Sequence, residues 1–151
     1  MGSPRIQRLH QHHPQAVRRC LAATGAAVLL SGCNGGTVDQ QALKHDSKTI
    51  SSLATEGGLF AGEVAKGEST GPFTRIQSDN LGTLAANLAD SLGRRKTSPG
   101  IEFKVRKAAN LAAQVAEQFK ALHDHPTDRA VARSVQHALG PLADEADKLA
   151  K

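Results

Sequence analysis

Apolar residues recur at every third or fourth position from residue 50 to the end of the chain. This spacing predicts four helical segments, because positions three and four apart lie on one face of an α-helix. The predicted core positions are, in chain order, Ile50, Leu53, Gly57, Phe60 and Val64; Phe73, Ile76, Leu81, Leu84, Leu88 and Leu92; Ile101, Val105, Ala108, Ala112, Val115, Phe119 and Leu122; and Val131, Val135, Ala138, Leu142, Ala146 and Leu149. No comparable stretch alternates with period two, so no sheet is expected.

Prolines divide these segments. Pro72, Pro99 and Pro126 each stand where a helix can begin, and Ser98 is a candidate cap for the segment that Pro99 opens. The connections are short, which favours antiparallel neighbours. Pro141 falls inside the fourth segment, where we expect a kink or a split because proline removes a backbone hydrogen bond. The sequence therefore predicts an all-α fold, a small antiparallel helical bundle of three to four helices.

The start of the chain has a different pattern. Arg5, Arg8, Arg18 and Arg19 precede an uncharged run at residues 20–30, and no Asp or Glu occurs before Asp39. As a helix this run spans about 16 Å, which is too short to cross a bilayer core of about 30 Å. A basic stretch followed by a short apolar run is typical of a secretory signal peptide.

Leu30, Ser31, Gly32 and Cys33 end that run. These four residues resemble the lipobox of bacterial lipoprotein precursors. The resemblance implies that the Cys33 thiol is joined to a diacylglycerol through a thioether. It also implies that a signal peptidase cuts between Gly32 and Cys33, and that the new amino terminus is then acylated, for example with palmitate. An ordinary secretory signal or a short buried core helix is the alternative interpretation.

The resemblance also implies a domain organisation and a location. Residues 1–32 would be a cleaved signal peptide, residues 33–37 a lipidated cysteine and flexible tether, and residues 38–151 the bundle. The protein would be anchored by lipid on the extracytoplasmic side of a bacterial membrane. Asn34 is not the Asp that retains lipoproteins at an inner membrane, so we expect the outer membrane where the cell has two membranes. With a single membrane, we expect its outer face.

The charge of the chain depends on this division. The 151 residues carry 19 Lys and Arg against 14 Asp and Glu, a net charge of +5. Residues 33–151 lack the four early arginines and keep 15 basic against 14 acidic side chains, a net charge of +1. With no Trp, no Tyr and four Phe, the chain also has few rings on which bases could stack. Nucleic-acid binding is therefore not expected.

Patterns typical of enzymes are missing from the sequence. It contains no glycine-rich phosphate loop, no Gly-x-Ser-x-Gly turn and no His-Glu-x-x-His pair. No catalytic residue is assigned, and no cofactor is expected apart from the covalent lipid on Cys33. His123, His125 and Asp128 are candidate metal ligands because imidazoles and carboxylates bind Zn²⁺ or Cu²⁺. A solvated corner between two helices is the simpler interpretation of that group.

The basic cluster Arg94, Arg95 and Lys96 has two interpretations as well. It could contact anionic lipid headgroups, or it could be a solvated turn between helices, which is the simpler alternative. Together these observations predict a non-enzymatic envelope lipoprotein that acts by protein contact or structural support. The alternative is an envelope protein that binds a ligand or metal, in a groove between helices or at the His123/His125 corner.

Overall fold

Residues 36–151 fold into four α-helices joined by short turns. The fold was determined as a computed structural model, which describes residues 36–151. The helices are α1 (Gln40–Lys66), α2 (Gly71–Arg94), α3 (Glu102–Asp124) and α4 (Arg129–Leu149). The predicted signal peptide and the residues Gly32 and Cys33 lie outside the described residues. Residues Asn34–Lys151 form one compact unit by themselves, and the buried apolar side chains of residues 36–151 lie between Val38 and Ala150.

Side chains and glycine set the helix ends. The Asp39 carboxylate accepts a hydrogen bond from the Ala42 N–H at 2.8 Å and so caps the start of α1. Gly67 ends the same helix in the left-handed region at φ 81°, a conformation that disfavours any residue with a Cβ. Pro72 lies in the first turn of α2, as predicted. Asp128 caps α4 by accepting from two backbone N–H groups.

One expectation about the helix starts is wrong. Ser98 does not cap α3: the helix begins at Glu102, and Ile101 occupies the capping position without a side-chain hydrogen bond. The Ser98 N–H is instead donated to the Val38 carbonyl at 2.9 Å, which holds this segment in an extended connection. Of the two alternatives at Pro141, a kink or a split, the split is absent, since α4 continues through Pro141 to Leu149. Pro141 has no N–H to donate to the His137 carbonyl. Both residues are exposed on the side of α4 away from the core, so water can take the place of that donor.

The helices form a bundle in which consecutive helices run antiparallel. The most extensive packing joins α1 to α4 and α2 to α3, while α1 and α2 meet only slightly. Lys107 near the start of α3 binds Glu145 near the end of α4 at 2.7 Å, which shows their opposite directions. The all-α antiparallel bundle is thus confirmed, with four helices.

The predicted core is confirmed for α1 and α3. All five predicted positions of α1 are buried, and in α3 every predicted position from Val105 to Leu122 is buried. In α4 the buried face is shifted by one residue at several places. Its fully buried members are Ala132, Val135, Leu139, Ala143 and Ala146. Because adjacent positions are about 100° apart around a helix, the predicted face of α4 is rotated relative to the buried face but still overlaps it.

The predicted core of α2 is wrong at half of its positions. Phe73, Ile76 and Leu84 are exposed, whereas Leu81 and Leu92 are buried. The remaining buried positions of α2 are Thr74, Ser78 and Ala85. The helix therefore turns a face of small and hydroxyl-bearing residues towards α3. Its large apolar residues at positions 73, 76 and 84 remain in contact with solvent.

The chain enters the bundle through Val38, which is fully buried. The Val38 N–H donates to the Lys96 carbonyl at 2.6 Å, and the two segments form an isolated parallel bridge between Val38 and Thr97. Within residues 36–151 this bridge is the only β-type pairing. None of the helices in that range is both long and apolar enough to cross a membrane.

Candidate functional site

The entry end of the bundle is the end formed by Val38, the start of α1, the connection at residues 95–101, the start of α3 and the C-terminus. The two hydrogen bonds of Val38 attach the incoming chain to the α2–α3 connection. The position of Cys33, five residues earlier in the sequence, lies outside the described residues. A chain of five residues spans at most about 17 Å when it is fully extended.

An ion pair between distant parts of the sequence braces the entry end. Arg95 Nη2 lies 2.6 Å from Asp46 Oδ2, and the two side chains are only 25% and 12% exposed. This contact joins the α2–α3 connection to α1 across 49 positions of sequence. The Arg95 Nε is buried and finds no hydrogen-bond partner among residues 36–151. Arg95 is therefore committed to the fold and is not a free surface charge.

Three exposed apolar residues form what we call the α2 apolar strip: Phe73, Ile76 and Leu84. They are between 45% and 63% exposed. They share one side of α2, because positions 73, 76 and 84 fall within about 80° of one another around a helix. Phe73 packs edge-on against Phe60 of α1, with ring centroids 6.0 Å apart and an angle of 79°. The Phe60 contact fixes one end of the strip while the rest stays open to a partner.

The periodic pattern placed this strip in the core, so sequence reasoning missed it as a surface. A signal was nevertheless present. Leu81, Leu88 and Leu92 continue the spacing of Ser78 and Ala85, which gives an unbroken 3-4-3-4 series when small residues count as core. Large apolar residues outside that series are then left for the surface. Exposed large apolar side chains that share one face of an element are a common feature of contact sites.

The His123/His125 corner lies at the opposite end of the bundle from Val38. His123 Nδ1 is 3.3 Å from Asp124 Oδ1, and Lys120 Nζ is 2.5 Å from the other oxygen of Asp124. The hydrogen bonds from Lys120 and His123 hold the pKa of Asp124 below its usual range, and Asp124 raises the pKa of Lys120. These groups bind one another on the exposed surface.

Asp128, the third candidate ligand at that corner, is engaged by the backbone. Its carboxylate accepts hydrogen bonds from the Ala130 and Val131 N–H groups at 2.8 and 3.1 Å. These two bonds, led by that from Val131, hold the pKa of Asp128 below its usual range. No three His, Cys, Asp or Glu side chains within residues 36–151 are arranged to hold a metal ion. His123, His125 and Asp128 thus lack the geometry of a metal centre.

Two grooves run between α2 and α3. The larger, about 590 Å³, lies at the entry end and is lined by Arg95, Thr97, Glu102 and Arg106 among others. The smaller, about 290 Å³, lies towards the other end and is lined by Ser78, Glu117 and Lys120 among others. The Ser78 Oγ is buried there without a hydrogen-bond partner in the described part of the chain. Both grooves are open to solvent and shallow.

Comparison of the chain with protein-family models, with curated proteins and with solved structures gives no match.

Proposed function

We propose that this protein is a bacterial envelope lipoprotein whose helical bundle is anchored through lipid on Cys33 and acts by contact with another protein. The observation that carries the proposal is the sequence Leu30-Ser31-Gly32-Cys33 at the end of a basic and then apolar leader. A thiol at this place is what diacylglycerol transfer requires. Small residues before it give a peptidase access to the bond between Gly32 and Cys33.

The physical chemistry of the anchor supports stable attachment. Each buried methylene of an acyl chain contributes about 0.8 kcal/mol, so two or three chains on one residue hold a protein that a single chain releases. The chain between Cys33 and Val38 is short and contains Gly35 and Gly36. The bundle would therefore be held close to the bilayer.

The α2 apolar strip supports a role in protein contact. Exposed apolar side chains cost free energy in water. Burying that surface against a partner recovers about 25 cal/mol per Å². Phe73 and Ile76 are large residues of the kind that anchor interfaces. The sequence has no catalytic motif that would favour an enzymatic role over this one.

Metabolic labelling with radioactive palmitate tests the anchor. The wild-type chain is expected to take up label, and the Cys33→Ala chain is expected to lose it because no thiol remains at the acylation site. Cys20→Ala is the matched control: it removes the other cysteine of the chain and is expected to retain the label. Equal label in the wild-type and Cys33→Ala chains would show the proposal to be wrong.

A further inference from the structure

The positive charge of the bundle is concentrated at its entry end. Residues 83–113 form the entry-end halves of α2 and α3 and their connection. In this segment six basic residues stand against two acidic ones: Arg94, Arg95, Lys96, Lys104, Arg106 and Lys107 against Asp90 and Glu102. With the neighbouring parts of α1 and α4 (residues 36–53 and 139–151) included, this half has a net charge of +3. The other half, residues 54–82 and 114–138, has a net charge of −2.

Only some of these charges are available to a partner. Arg95 is paired with Asp46, Lys107 with Glu145, and Arg94 with Asp90 at 3.4 Å. Among residues 36–151, the ammonium groups of Lys96 and Lys104 and the guanidinium of Arg106 have no ion-pair partner. All three side chains are exposed. Of the six basic residues in residues 83–113, the three available ones thus lie in the α2–α3 connection and the first turns of α3.

An aromatic residue accompanies these charges. Phe103 lies in the first turn of α3, directly before Lys104, and is 73% exposed, more than any other large apolar residue of the described chain. It contributes little to the core, so packing does not explain it. Exposed aromatic rings next to lysines and arginines are typical of protein surfaces that meet the headgroup region of a bilayer.

The bridge at Val38 places the origin of the tether beside these residues. The Lys96 carbonyl accepts the hydrogen bond of the Val38 N–H, so the chain that leads back to Cys33 leaves the fold next to Lys96. If Cys33 holds the lipid, as the proposed function states, its limit of about 17 Å from Val38 keeps this end close to the bilayer. Electrostatic attraction acts over about 8 Å at physiological ionic strength, about half of that limit, so these charges act on the headgroups when the five-residue chain is not fully extended.

We propose that the entry end is a docking surface for anionic lipid headgroups. Lys96, Lys104 and Arg106 contact the phosphates, and the Phe103 ring enters the interfacial layer. Anchor and docking surface together fix the orientation of the bundle, with the α2–α3 connection on the membrane. The more acidic half, which includes Phe73 and Ile76, then points away from the bilayer.

Sedimentation with lipid vesicles tests the docking surface without any acyl chain. The chain that begins at Asn34 is suitable, because residues Asn34–Lys151 form a compact unit with its own core. We expect it to bind vesicles of phosphatidylglycerol and phosphatidylcholine, to bind pure phosphatidylcholine weakly, and to lose binding as salt is raised. The double variant Lys96→Gln/Lys104→Gln is expected to bind the anionic vesicles about 25-fold more weakly, since each lysine contributes about fivefold.

The matched control is Lys66→Gln/Lys120→Gln, which removes the same charge from the other half of the bundle and is expected to bind within about twofold of the parent. Phe103→Ser separates the apolar contribution, because it is expected to weaken binding without changing its salt dependence. Equal losses in the two lysine pairs would overturn the inference. Absence of binding to anionic vesicles would also overturn it, and would leave an acidic protein as the class of partner for Lys96 and Lys104.

Palmitate labelling tests the acylation of Cys33, and vesicle sedimentation tests the docking surface, so the two proposals can fail independently. Loss of palmitate labelling with vesicle binding intact would reject the anchor and keep the docking surface. Labelling at Cys33 without vesicle binding would keep the anchor and reject the docking surface.

Discussion

At Gly57, α1 packs closely against both α3 and α4. A Cβ added at Gly57 would lie 2.5 Å from Phe119 Cζ of α3 and 3.0 Å from Leu139 Cδ1 of α4. Phe119 is fully buried, so its ring has no space into which it can move. The absent side chain at Gly57 therefore makes room for the largest residue of the core.

Alanine at this position is expected to destabilise the protein. Gly→Ala inside a helix normally stabilises by about 1 kcal/mol. At Gly57 we expect Gly57→Ala instead to lower the free energy of unfolding by about 1–3 kcal/mol, because overpacking a close-packed core forces its neighbours to move. Urea unfolding measures the difference.

The adjacent Gly58→Ala is the control. Its Cβ would lie 4.0 Å from Leu139 Cβ, an ordinary contact, so a gain of up to about 1 kcal/mol is expected. A Gly57→Ala protein as stable as the parent would contradict the tight packing of Phe119 against α1.

Asp128 makes the stability of α4 depend on pH. Because its pKa is lowered in the folded state, its contribution is fully present above the pKa of an unfolded aspartate, about 3.9, and is lost as the pH falls through the lower folded pKa. Asp128→Ala is therefore expected to lower the thermal midpoint at pH 7. The gap to the parent should narrow as the pH falls below about 3.9.

Thermal unfolding followed by circular dichroism from pH 7 down to pH 2 checks this. Asp144→Ala, an exposed position further along α4, is expected to change the midpoint little at pH 7. A deficit in Asp128→Ala that stays constant with pH would indicate that the charge of the capping carboxylate has no effect.

At the scale of elements, α2 shows why a hydrophobic pattern can predict a helix and still misplace its buried face. The apolar spacing correctly indicated helix, and Leu81 and Leu92 are buried as predicted. The wrong positions follow from packing against α3, where Gly82 lies close to Phe119: a Cβ there would be 3.3 Å from Phe119 Cβ. Where α2 and α3 lie this close together, only small residues fit between them. A prediction that looks for large apolar residues therefore misses these buried positions.

The ion pair between Asp46 and Arg95 joins two elements, and its loss should be measurable. Removing either partner leaves the other charge half-buried, so Asp46→Ala and Arg95→Ala are each expected to cost about 1.5–3 kcal/mol. A double-mutant cycle by urea unfolding should give a coupling energy above about 1 kcal/mol.

The exposed pair Asp90 and Arg94, four residues apart on α2, is the matched control. Its coupling is expected to stay below about 0.5 kcal/mol because both side chains are solvated. Equal coupling in the two cycles would mean that burial adds nothing to the Asp46–Arg95 contact.

For the whole molecule, local signals predicted more than long-range ones. The spacing of apolar residues predicted the helical segments, and the prolines predicted the turns near Pro72 and Pro126. The contact between Asp46 and Arg95 did not, since 49 residues separate them and no local pattern links them. The burial of Val38 was equally hidden, because its bridge to the α2–α3 connection depends on how the helices assemble. The three candidate metal ligands are neighbours in sequence. In the fold, however, Asp128 accepts hydrogen bonds from the backbone of α4, and both histidines are exposed.

The α2 apolar strip leads to a prediction about partners. A photoreactive amino acid at position 76, in cells that make the full chain, is expected to give a defined crosslinked adduct, because Ile76 is exposed within the strip. Leu59 on α1 is the matched control: it is also apolar and exposed but lies on another helix and is expected to give no such adduct. The same adducts at both positions, or none at position 76, would contradict a contact role for the strip.

The bridge at Val38 also has a mechanical consequence. Tension that reaches the bundle through residues 36 and 37 acts first on the two hydrogen bonds between Val38 and the α2–α3 connection. The first turn of α1 begins only after that bridge, so it is shielded from the pull although helix ends are where unwinding starts most easily. The force is then transmitted to the α2–α3 connection, which the ion pair between Arg95 and Asp46 joins to α1. A force applied at residues 36 and 37 is thus shared between two helices before either begins to unwind.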